Sequence, residues 1–446
     1  MATDLTKGRP DRVLWKYSLP LFGSIVFQQL YNIADSVVAG KFVGENALAA
    51  VGNSYEVTLI YLSFAFGLNI GASVVTARLY GAKRMTQMKT AVHTAFLLTA
   101  AVCAVLMALG FAFSPALIRA IQTPEEIFED TMLYLNIYTG GLVFLFLYNI
   151  ATGVFASLGD SRTPFVFLAV SSLSNIALDV VFVTVLRMGV AGVAWATFLC
   201  QGVSCVLAVL SLFKALGRIP CEERPKWFSM PILRSLVKIA LPSTLQQCFI
   251  SVGNILIQSI VNGFGTSAIA GYAAAVKFNN FAVTSFTTMS NGMSNFTAQN
   301  LGASEPGRVR EGYRGCLKMM AAIAALFAAT YLFAGEYVIR LFLNAENTRA
   351  LEIGTQFLRV VSPFYFVVAL KLATDGVLRG AGCMGEFMTD TFVDLAMRVA
   401  LSFILAAPFG LTGVWCSWPI SWSVATVIAA LFYRRGRWAL QAGEGK

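Results

Sequence analysis

The chain consists of long apolar segments of about 20 to 30 residues, separated by short stretches that carry charge, glycine or proline. A bilayer core about 30 Å thick needs about 20 apolar residues when a helix crosses it. Each segment is therefore predicted to be a membrane-spanning helix. Six helices are expected in the first half of the chain, at residues 13–39, 54–79, 91–114, 131–157, 164–186 and 190–213. Six more are expected in the second half, at residues 236–261, 270–299, 313–335, 352–380, 387–407 and 413–433.

The composition supports a membrane protein with many spans. Only 13% of the 446 residues are charged and the mean hydropathy is +0.69, whereas an average soluble chain carries about 25% charged residues. This excludes a soluble enzyme, a disordered tail and a secreted disulfide scaffold. The eight cysteines are scattered without a C-x2-C pair, and His93 is the only histidine. No metal site, disulfide framework or cofactor is therefore expected.

The positive charges indicate how the chain is oriented. The net charge of +10 comes from Lys and Arg residues spread between apolar segments rather than gathered in one patch. A nucleic-acid partner is therefore not expected. Most of the 33 Lys and Arg residues lie in the predicted loops on one side of the membrane. The positive-inside rule predicts that this side is cytoplasmic, and the even number of helices places both termini there.

A basic, proline-containing stretch divides the chain near its middle. It runs from Lys214 to Lys238 and contains Pro220, Pro225 and Pro231. We predict a cytoplasmic linker at residues 214–235. An N-terminal lobe of six helices is expected at 1–213, and a C-terminal lobe of six helices with a short cytoplasmic tail at 236–446.

The two halves are copies of one unit. Shifting the second half by about 222 positions aligns landmarks that hydrophobicity alone would not align. The matched pairs are Leu19-Pro20 with Leu241-Pro242, Asn32 with Asn254, Gly81-Ala82 with Gly302-Ala303, Gly153 with Gly376, and Gly159 with Gly382. Because each copy has an even number of helices, the copies are related by a pseudo-two-fold axis along the membrane normal. A cleft between the lobes is the expected substrate path.

Ionisable residues inside membrane helices are costly and are functional candidates by default. The carboxylates well within the predicted helices are Asp35, Asp179, Asp375 and Asp394, whereas Glu56, Glu336, Glu386 and Asp390 lie nearer to helix ends. In the first helix, Gln28, Asn32 and Asp35 form a polar stripe. In the fifth, Ser172, Asn175 and Asp179 form another. Two acids are therefore expected to share one pocket in the N-terminal lobe.

The repeat provides a control for this interpretation. The positions that match Asp35, Asn175 and Asp179 in the second half are Ile257, Arg398 and Ser402. If the acids only closed a six-helix bundle, the second copy would need them too. We therefore favour a functional role for these acids that is specific to the N-terminal lobe. The alternative is that both acids are hydrogen-bonded internally and inert.

Several short motifs together resemble the MATE (multidrug and toxic compound extrusion) family of the MOP flippase superfamily. They are Gly40-x3-Gly44, Tyr80-Gly81-Ala82, Gly159-Asp160-x3-Pro164, Asn295-x3-Gln299-Asn300-Leu301-Gly302-Ala303 and Leu378-Arg379-Gly380-x-Gly382. The resemblance spans both lobes. It implies the MATE fold of 12 transmembrane helices, and export of organic cations in exchange for protons or sodium ions.

One MATE branch has its coupling site in the N-terminal lobe, and this chain is similar to it. In that branch the site comprises a Tyr-x3-Asp motif of the first helix, an Asn-x3-Asp motif of the fifth and a Thr of the sixth. The matching residues here are Tyr31, Asp35, Asn175, Asp179 and Thr197. Two close carboxylates in low dielectric need a counter-charge. A proton or a sodium ion at Asp35, Asn175, Asp179 and Thr197 would supply it, and these ligands do not choose between the two.

The other polar helix positions are assigned secondary roles. Gln28 and Asn32, together with Gln247 and Asn254 of the seventh helix, are candidates for substrate binding. In the C-terminal lobe, Asp375 is four residues from both Lys371 and Arg379, and Asp394 is four from Arg398. Such spacing predicts local ion pairs, so Asp375 and Asp394 are reserve acids.

Three functions are compatible with a polytopic chain of this kind. The expected one is a multidrug antiporter that exports small, mostly cationic amphipathic compounds, as a monomer in a bacterial cytoplasmic membrane. A flippase for a lipid-linked saccharide shares the two-lobe plan, but it would favour a basic cavity. A membrane-embedded enzyme is disfavoured because the chain has a single peripheral His and no nucleophile motif.

Overall fold

The computed structural model describes residues 3–38, 45–121, 123–341 and 347–441, except for the side chains of residues 29–38, 45–49, 53, 55, 56 and 120. Within this part of the chain all regular structure is helical. The helices of the first half are α1 Pro10–Val38, α2 Glu45–Gly81, α3 Met85–Ala120, α4 Glu125–Gly140, α5 Leu142–Ser157, α6 Arg162–Val180 and α7 Gly189–Gly217. Those of the second half are α8 Met230–Asn262, α9 Thr266–Gly302, α10 Pro306–Phe333, α11 Gly335–Arg340, α12 Thr348–Val361, α13 Tyr365–Gly380, α14 Met384–Arg435 and α15 Arg437–Leu440.

The helix order confirms the prediction of an all-α chain, with differences at three predicted spans. The fourth predicted helix is the pair α4 and α5, which bend by 46° at Gly141. The tenth is α12 and α13, joined by a short 3-10 turn at Ser362–Phe364. The last two predicted helices form the single element α14, whose 52 residues are interrupted at Gly410 (φ 57°, ψ −142°). A straight helix of that length would measure about 78 Å at about 1.5 Å per residue, so this break is what allows two crossings.

Many of the described helices are apolar enough to cross a membrane alone. By length and hydropathy there are eight such helices in the described residues, or nine when α4 and α5 count as one span. The long helix α9 is not among them. Its second half carries Ser290, Asn295, Gln299 and Asn300, all buried against other helices rather than facing lipid. Conversely, α3 exposes large apolar side chains such as Leu97, Leu109 and Phe113, as expected of a lipid-facing surface.

The helices form two compact units. Unit 1 contains the residues up to Asp4 and Leu19–Thr244, and unit 2 contains Leu5–Ser18 and Leu245–Lys446. The first turns of α1 therefore belong to unit 2, while the first turns of α8 belong to unit 1. Each long helix that begins a half of the chain thus contributes to both units.

In unit 2, the polar motif of α9 holds the N-terminal segment. The backbone N–H of Leu5 donates to Gln299 Oε1 at 3.2 Å, and Asn300 Nδ2 donates to the Leu5 carbonyl at 3.2 Å. Further along, Asn295 Nδ2 donates to the Tyr17 hydroxyl at 3.1 Å. Since all three amides are buried, these bonds satisfy polar groups that would otherwise destabilise the fold.

In unit 1, the linker docks on α3. The backbone N–H groups of Lys226 and Ser229 donate to the hydroxyls of Thr90 and Thr94 at 3.1 and 3.2 Å. The imidazole of His93 also stacks on the Trp227 ring, with centroids 4.8 Å apart. The single histidine of the chain therefore helps to fix the linker.

Small residues allow α9 and α13 to pack closely in unit 2. A Cβ atom at Gly376 would lie 2.6 Å from the Ser290 carbonyl oxygen. At Gly380 it would clash with the Ser294 carbonyl and lie 2.8 Å from Thr297 Cβ. The glycine of the Leu378-Arg379-Gly380 motif is thus required by helix packing.

We expect Gly380→Ala to destabilise the protein by about 1–3 kcal/mol, because the added methyl group forces α9 and α13 apart. The matched control is Gly385→Ala, since a Cβ atom at Gly385 meets nothing within 4 Å. That variant should be unchanged or more stable by up to about 1 kcal/mol, because alanine loses less backbone entropy on folding. Thermal unfolding in detergent measures both. Equal melting temperatures of the two variants would contradict the packing argument.

Candidate functional site

The start of α6 is fixed by a glycine and an aspartate. Gly159 adopts φ +81°, and a Cβ atom there would clash with the Thr3 carbonyl. Next to it, Asp160 Oδ1 accepts the backbone N–H groups of Arg162 and Thr163, each at 3.1 Å. A carboxylate in this position accepts hydrogen bonds from N–H groups that have no partner within the helix, and the positive end of the helix dipole stabilises its negative charge. The Gly159-Asp160 motif therefore sets where α6 begins.

From this start, α6 directs its polar stripe into unit 1. Asn175 and Asp179 lie one turn apart and are 3% and 0% exposed. On α7, Thr197 is buried as well, and Cys200 lies one turn further along. The Cys200 thiol is within hydrogen-bonding reach of Asn175 and within electrostatic range of Asp179. The structure thus brings three of the five predicted coupling residues to one α6–α7 interface.

An apolar cluster lies just beyond Asp179 along α6. It consists of buried side chains on α4, α7 and the segment that follows α6, namely Tyr134, Val183, Val190, Val193 and Ala194. The segment Val181–Val185 forms a π-helical turn directly after α6, and such turns are frequent at functional sites. Val180, the residue that follows Asp179, packs against this cluster. Desolvation makes an uncompensated charge there costly.

A cavity of about 170 Å³ opens on the other side of the stripe. Its walls come from α1, α2, α5, α6 and α7, with Gln28, Leu62, Phe66, Leu145, Tyr148, Asn149, Leu168, Ser171, Ser172, Asn175, Thr197, Cys200, Gln201 and Ser204 as the lining residues. These residues are aromatic, aliphatic or neutral polar, and none carries a charge. Asn175 and Thr197 belong to the lining, whereas Asp179, one turn along α6 from Asn175, is buried and is not among the described lining residues.

The size of the cavity limits what unit 1 can hold in this state. Ligand pockets usually measure about 300–1,000 Å³, and a water molecule takes about 30 Å³. The cavity thus accommodates a few waters, an ion or one ring of a larger molecule. Gln28 is an exposed residue of the lining, and its role in substrate binding stays a prediction.

Other predicted site residues lie elsewhere or outside the described part. The side chains of Tyr31, Asn32 and Asp35 lie outside the described residues, so the Asp35–Asp179 pair stays a prediction. Gln247 and Asn254 are half-buried on α8. The Gln247 carbonyl accepts a hydrogen bond from the Ser251 hydroxyl at 3.1 Å. The role of Gln247 and Asn254 in substrate binding also stays a prediction.

The expected ion pairs of unit 2 are confirmed for both reserve acids. Lys371 Nζ lies 2.8 Å from Asp375 Oδ2, and Arg398 Nη2 lies 3.1 Å from Asp394 Oδ2. Arg379, the other expected partner of Asp375, instead donates to Asn291 Oδ1 at 2.7 Å.

Sequence reasoning placed Asp390 near a helix end, and the structure buries it completely. Asp390, Asp394 and Arg398 recur every four residues, and this spacing was the available signal. The cavity residues Tyr148, Asn149, Cys200 and Gln201 were also missed. Of these, only Cys200 carried a signal, because it follows Thr197 by three residues.

The cavity makes a prediction about thiol accessibility. In variants that keep one cysteine, Cys200 should react with a small polar methanethiosulfonate reagent at least about tenfold faster than Cys205, because only Cys200 lines the cavity. Cys205 is the matched control, since it is buried on the same helix. Mass spectrometry of the labelled protein follows the reaction. Equal rates would argue against a solvent-connected cavity at this position.

Comparisons with known proteins agree with the geometry. The MatE family model matches residues 20–181 and again residues 242–404, which supports the internal repeat. The probable multidrug resistance protein YpnP of Bacillus subtilis is 28% identical over 439 residues, which cover 98% of each chain. The FAD transporter of Shewanella oneidensis is 28% identical over 413 residues, covering 89% of this chain and 87% of that one.

A solved structure shows the same fold. A MATE protein in complex with MaL6 superimposes on this chain with a TM-score of 0.92, at 23% identity over 98% of both chains. Because the family model matches both halves and covers most of the sequence, this chain belongs to the MATE family of multi-pass membrane transport proteins.

Proposed function

We propose that this protein exports small, mostly cationic amphipathic compounds, in exchange for protons or sodium ions bound at Asp35 and Asp179. The observation that carries the proposal is the complete burial of Asp179 one helical turn from Asn175, which lines a cavity whose described lining residues carry no charge. Relatives such as YpnP of Bacillus subtilis bear the name of multidrug resistance proteins. Both termini are proposed to lie in the cytoplasm of a bacterial cell, with the monomer as the transporting form.

The chemistry of the site suits a small cation. A carboxylate at 0% exposure cannot stay charged in low dielectric without a partner of opposite charge. Amide, hydroxyl and carboxylate oxygens coordinate sodium, and a carboxylate beside an amide also binds a proton. The inward movement of one charge through 100 mV supplies about 2.3 kcal/mol.

In the proposed exchange, the substrate and the coupling ion exclude each other. A cationic substrate that places a ring in the cavity lined by Phe66 and Tyr148 would lie near Asn175 and Thr197, two of the proposed coupling residues. Its positive charge would replace the counter-charge that the ion provides. Binding of the ion then favours release of the substrate, as antiport requires.

The alternative of a lipid-linked saccharide flippase receives no support from the cavity. Its described lining residues include neither Lys nor Arg, so the counter-charges for a pyrophosphate carrier are absent from that lining. The same argument applies to a dinucleotide such as the one named for the Shewanella oneidensis relative. Organic cations therefore remain the proposed substrates.

We expect Asp179→Asn to reduce gradient-driven efflux of a fluorescent lipophilic cation at least about tenfold, because loss of about 1.4 kcal/mol of ion binding has that effect. Reconstituted vesicles with an imposed proton or sodium gradient provide the assay, and Asp35→Asn should behave alike. The control is Glu223→Gln, which removes an exposed carboxylate from the linker and should leave efflux unchanged. Full efflux by both aspartate variants would refute the coupling site.

A second variant identifies the ion. Thr197→Val keeps the shape of the side chain but removes the hydroxyl oxygen. If sodium is the coupling ion, the sodium concentration for half-maximal efflux should rise several-fold, because the loss of one ligand weakens sodium binding by about 1 kcal/mol. If the proton is the coupling ion, efflux by the variant should depend on the pH gradient in the same way as efflux by the parent protein.

A further inference from the structure

The linker between α7 and α8 lies where two membrane helices end. Both helices are long and apolar enough to cross a membrane, and residues 218–229 join them. Both helices also expose large apolar side chains, such as Leu210 on α7 and Leu241 on α8. A short segment between two membrane crossings lies at the level of the lipid headgroups.

The linker and the helix ends beside it are basic. The segment from Lys214 to Lys238 contains six basic and two acidic residues, which gives it a net charge of +4. All eight side chains belong to exposed residues. The six basic residues, none of which forms an ion pair within the described part of the chain, are Lys214, Arg218, Arg224, Lys226, Arg234 and Lys238. Their charge is therefore available to an external anion.

Large apolar side chains are exposed next to this charge. Trp227 is 74% exposed, Phe228 is 46% exposed and Met230 is 50% exposed, and the two rings follow Lys226 directly along the chain. Tryptophan is enriched at membrane–water interfaces, where its ring lies at the level of the headgroups. Basic residues combined with exposed aromatic residues are typical of surfaces that bind anionic lipid.

Aromatic contacts connect Trp227 with the membrane helices. The Trp227 ring stacks on His93 of α3 with centroids 4.8 Å apart, and His93 stacks on Phe213 of α7 at 6.2 Å. Phe213 is itself exposed and also contacts Phe96 of α3 at 5.4 Å. The rings of the linker are thus continuous with apolar side chains of two membrane helices. This continuity favours a lipid over a soluble acidic protein as the partner.

Backbone groups of the linker hold it in place. Lys89 Nζ donates to the Ile219 carbonyl at 2.7 Å, and the Lys226 backbone N–H donates to Thr90 Oγ1 at 3.1 Å. His93 Nδ1 forms a hydrogen bond of 3.2 Å with the Lys226 carbonyl. Because these contacts use the backbone of Lys226, they leave its ammonium group at the surface. A fixed backbone also reduces the entropy that is lost when a ligand binds.

The internal repeat shows that helix packing does not require the exposed rings. In the alignment that matches Leu19-Pro20 with Leu241-Pro242, Trp227 corresponds to Leu5 and Lys226 to Asp4. Leu5 is completely buried in unit 2, where Gln299 and Asn300 bind its backbone. The first copy therefore buries a leucine at the position where the second copy exposes a tryptophan. This difference indicates a role for Trp227 other than packing.

We propose that the linker is a binding site for anionic phospholipid. Arg224 and Lys226 bind the headgroup phosphate, and the rings of Trp227 and Phe228 lie between the headgroups and the acyl chains. An anionic headgroup is favoured over a zwitterionic one because only the former balances part of the positive charge. The site concerns a lipid that stays bound to the protein, so it does not depend on the proposed export of organic cations.

Native mass spectrometry of the purified protein in detergent tests the site. The protein is titrated with phosphatidylglycerol, which is anionic, or with phosphatidylcholine, which is zwitterionic. The variant Arg224→Gln/Lys226→Gln should weaken the binding of phosphatidylglycerol at least about tenfold, because each basic side chain near an anionic surface contributes about fivefold. The binding of phosphatidylcholine should change little, since no net charge is involved.

Two further variants serve as controls. Arg314→Gln/Lys318→Gln removes one arginine and one lysine from exposed positions of α10, and it should bind phosphatidylglycerol as the parent protein does. Glu222→Gln/Glu223→Gln reverses the sign of the change, because it raises the charge of the linker and should tighten binding. Equal losses in the linker variant and the α10 variant, or no loss in the linker variant, would overturn the proposal.

Competition distinguishes the lipid from a free phosphate. Glycerol 3-phosphate carries the phosphate group without acyl chains, so it should not displace phosphatidylglycerol at equal concentration. Displacement would show that the linker binds a soluble phosphate compound, and the lipid proposal would then be wrong.

Hydrogen exchange of the unmodified protein tests the location without any variant. Amides of residues 218–229 should exchange several-fold more slowly in nanodiscs of phosphatidylglycerol than in nanodiscs of phosphatidylcholine, because the bound headgroups cover the linker. Equal exchange in the two membranes would refute the site and leave a soluble acidic partner as the explanation of the charge.

Discussion

The cost of charge inside a membrane is the constraint on which the two units depend. Few ionisable groups lie within the described membrane helices, and those that do are enclosed by polar partners or by other charges. In unit 1, Asp179 is buried beside Asn175 and Thr197, with an apolar cluster beyond it. In the proposed function, a proton or a sodium ion balances this acid, and its binding couples transport to an ion gradient.

The duplicated scaffold satisfies this constraint in two ways. In unit 1, the described residues that line the cavity carry no charge. In unit 2, the positions that match Tyr148 and Ser171 hold Lys371 and Asp394, which form ion pairs with Asp375 and Arg398. The two copies of the repeat therefore share an arrangement of helices but differ in the charges that those helices carry.

The family motifs at the helix ends have structural explanations of their own. Asn295, Gln299 and Asn300 hold the N-terminal segment, and Gly380 allows close approach of α9 and α13. Asp160 caps α6 and so sets the position of the polar stripe. These residues fix helix ends and helix packing within their own units.

The sequence by itself determined the helices, the repeat and the direction of the α6 stripe, because hydropathy and a period of 3.6 residues are local properties. It also predicted the pairs Lys371–Asp375 and Asp394–Arg398, which join neighbouring turns of one helix. Only the tertiary structure decided that Asp390 of α14 lies near Lys371 of α13, and that Arg379 donates to Asn291. It likewise decided that the linker docks on α3 and that Cys200 lines a cavity. These features depend on contacts between distant parts of the chain, whose geometry no local pattern specifies.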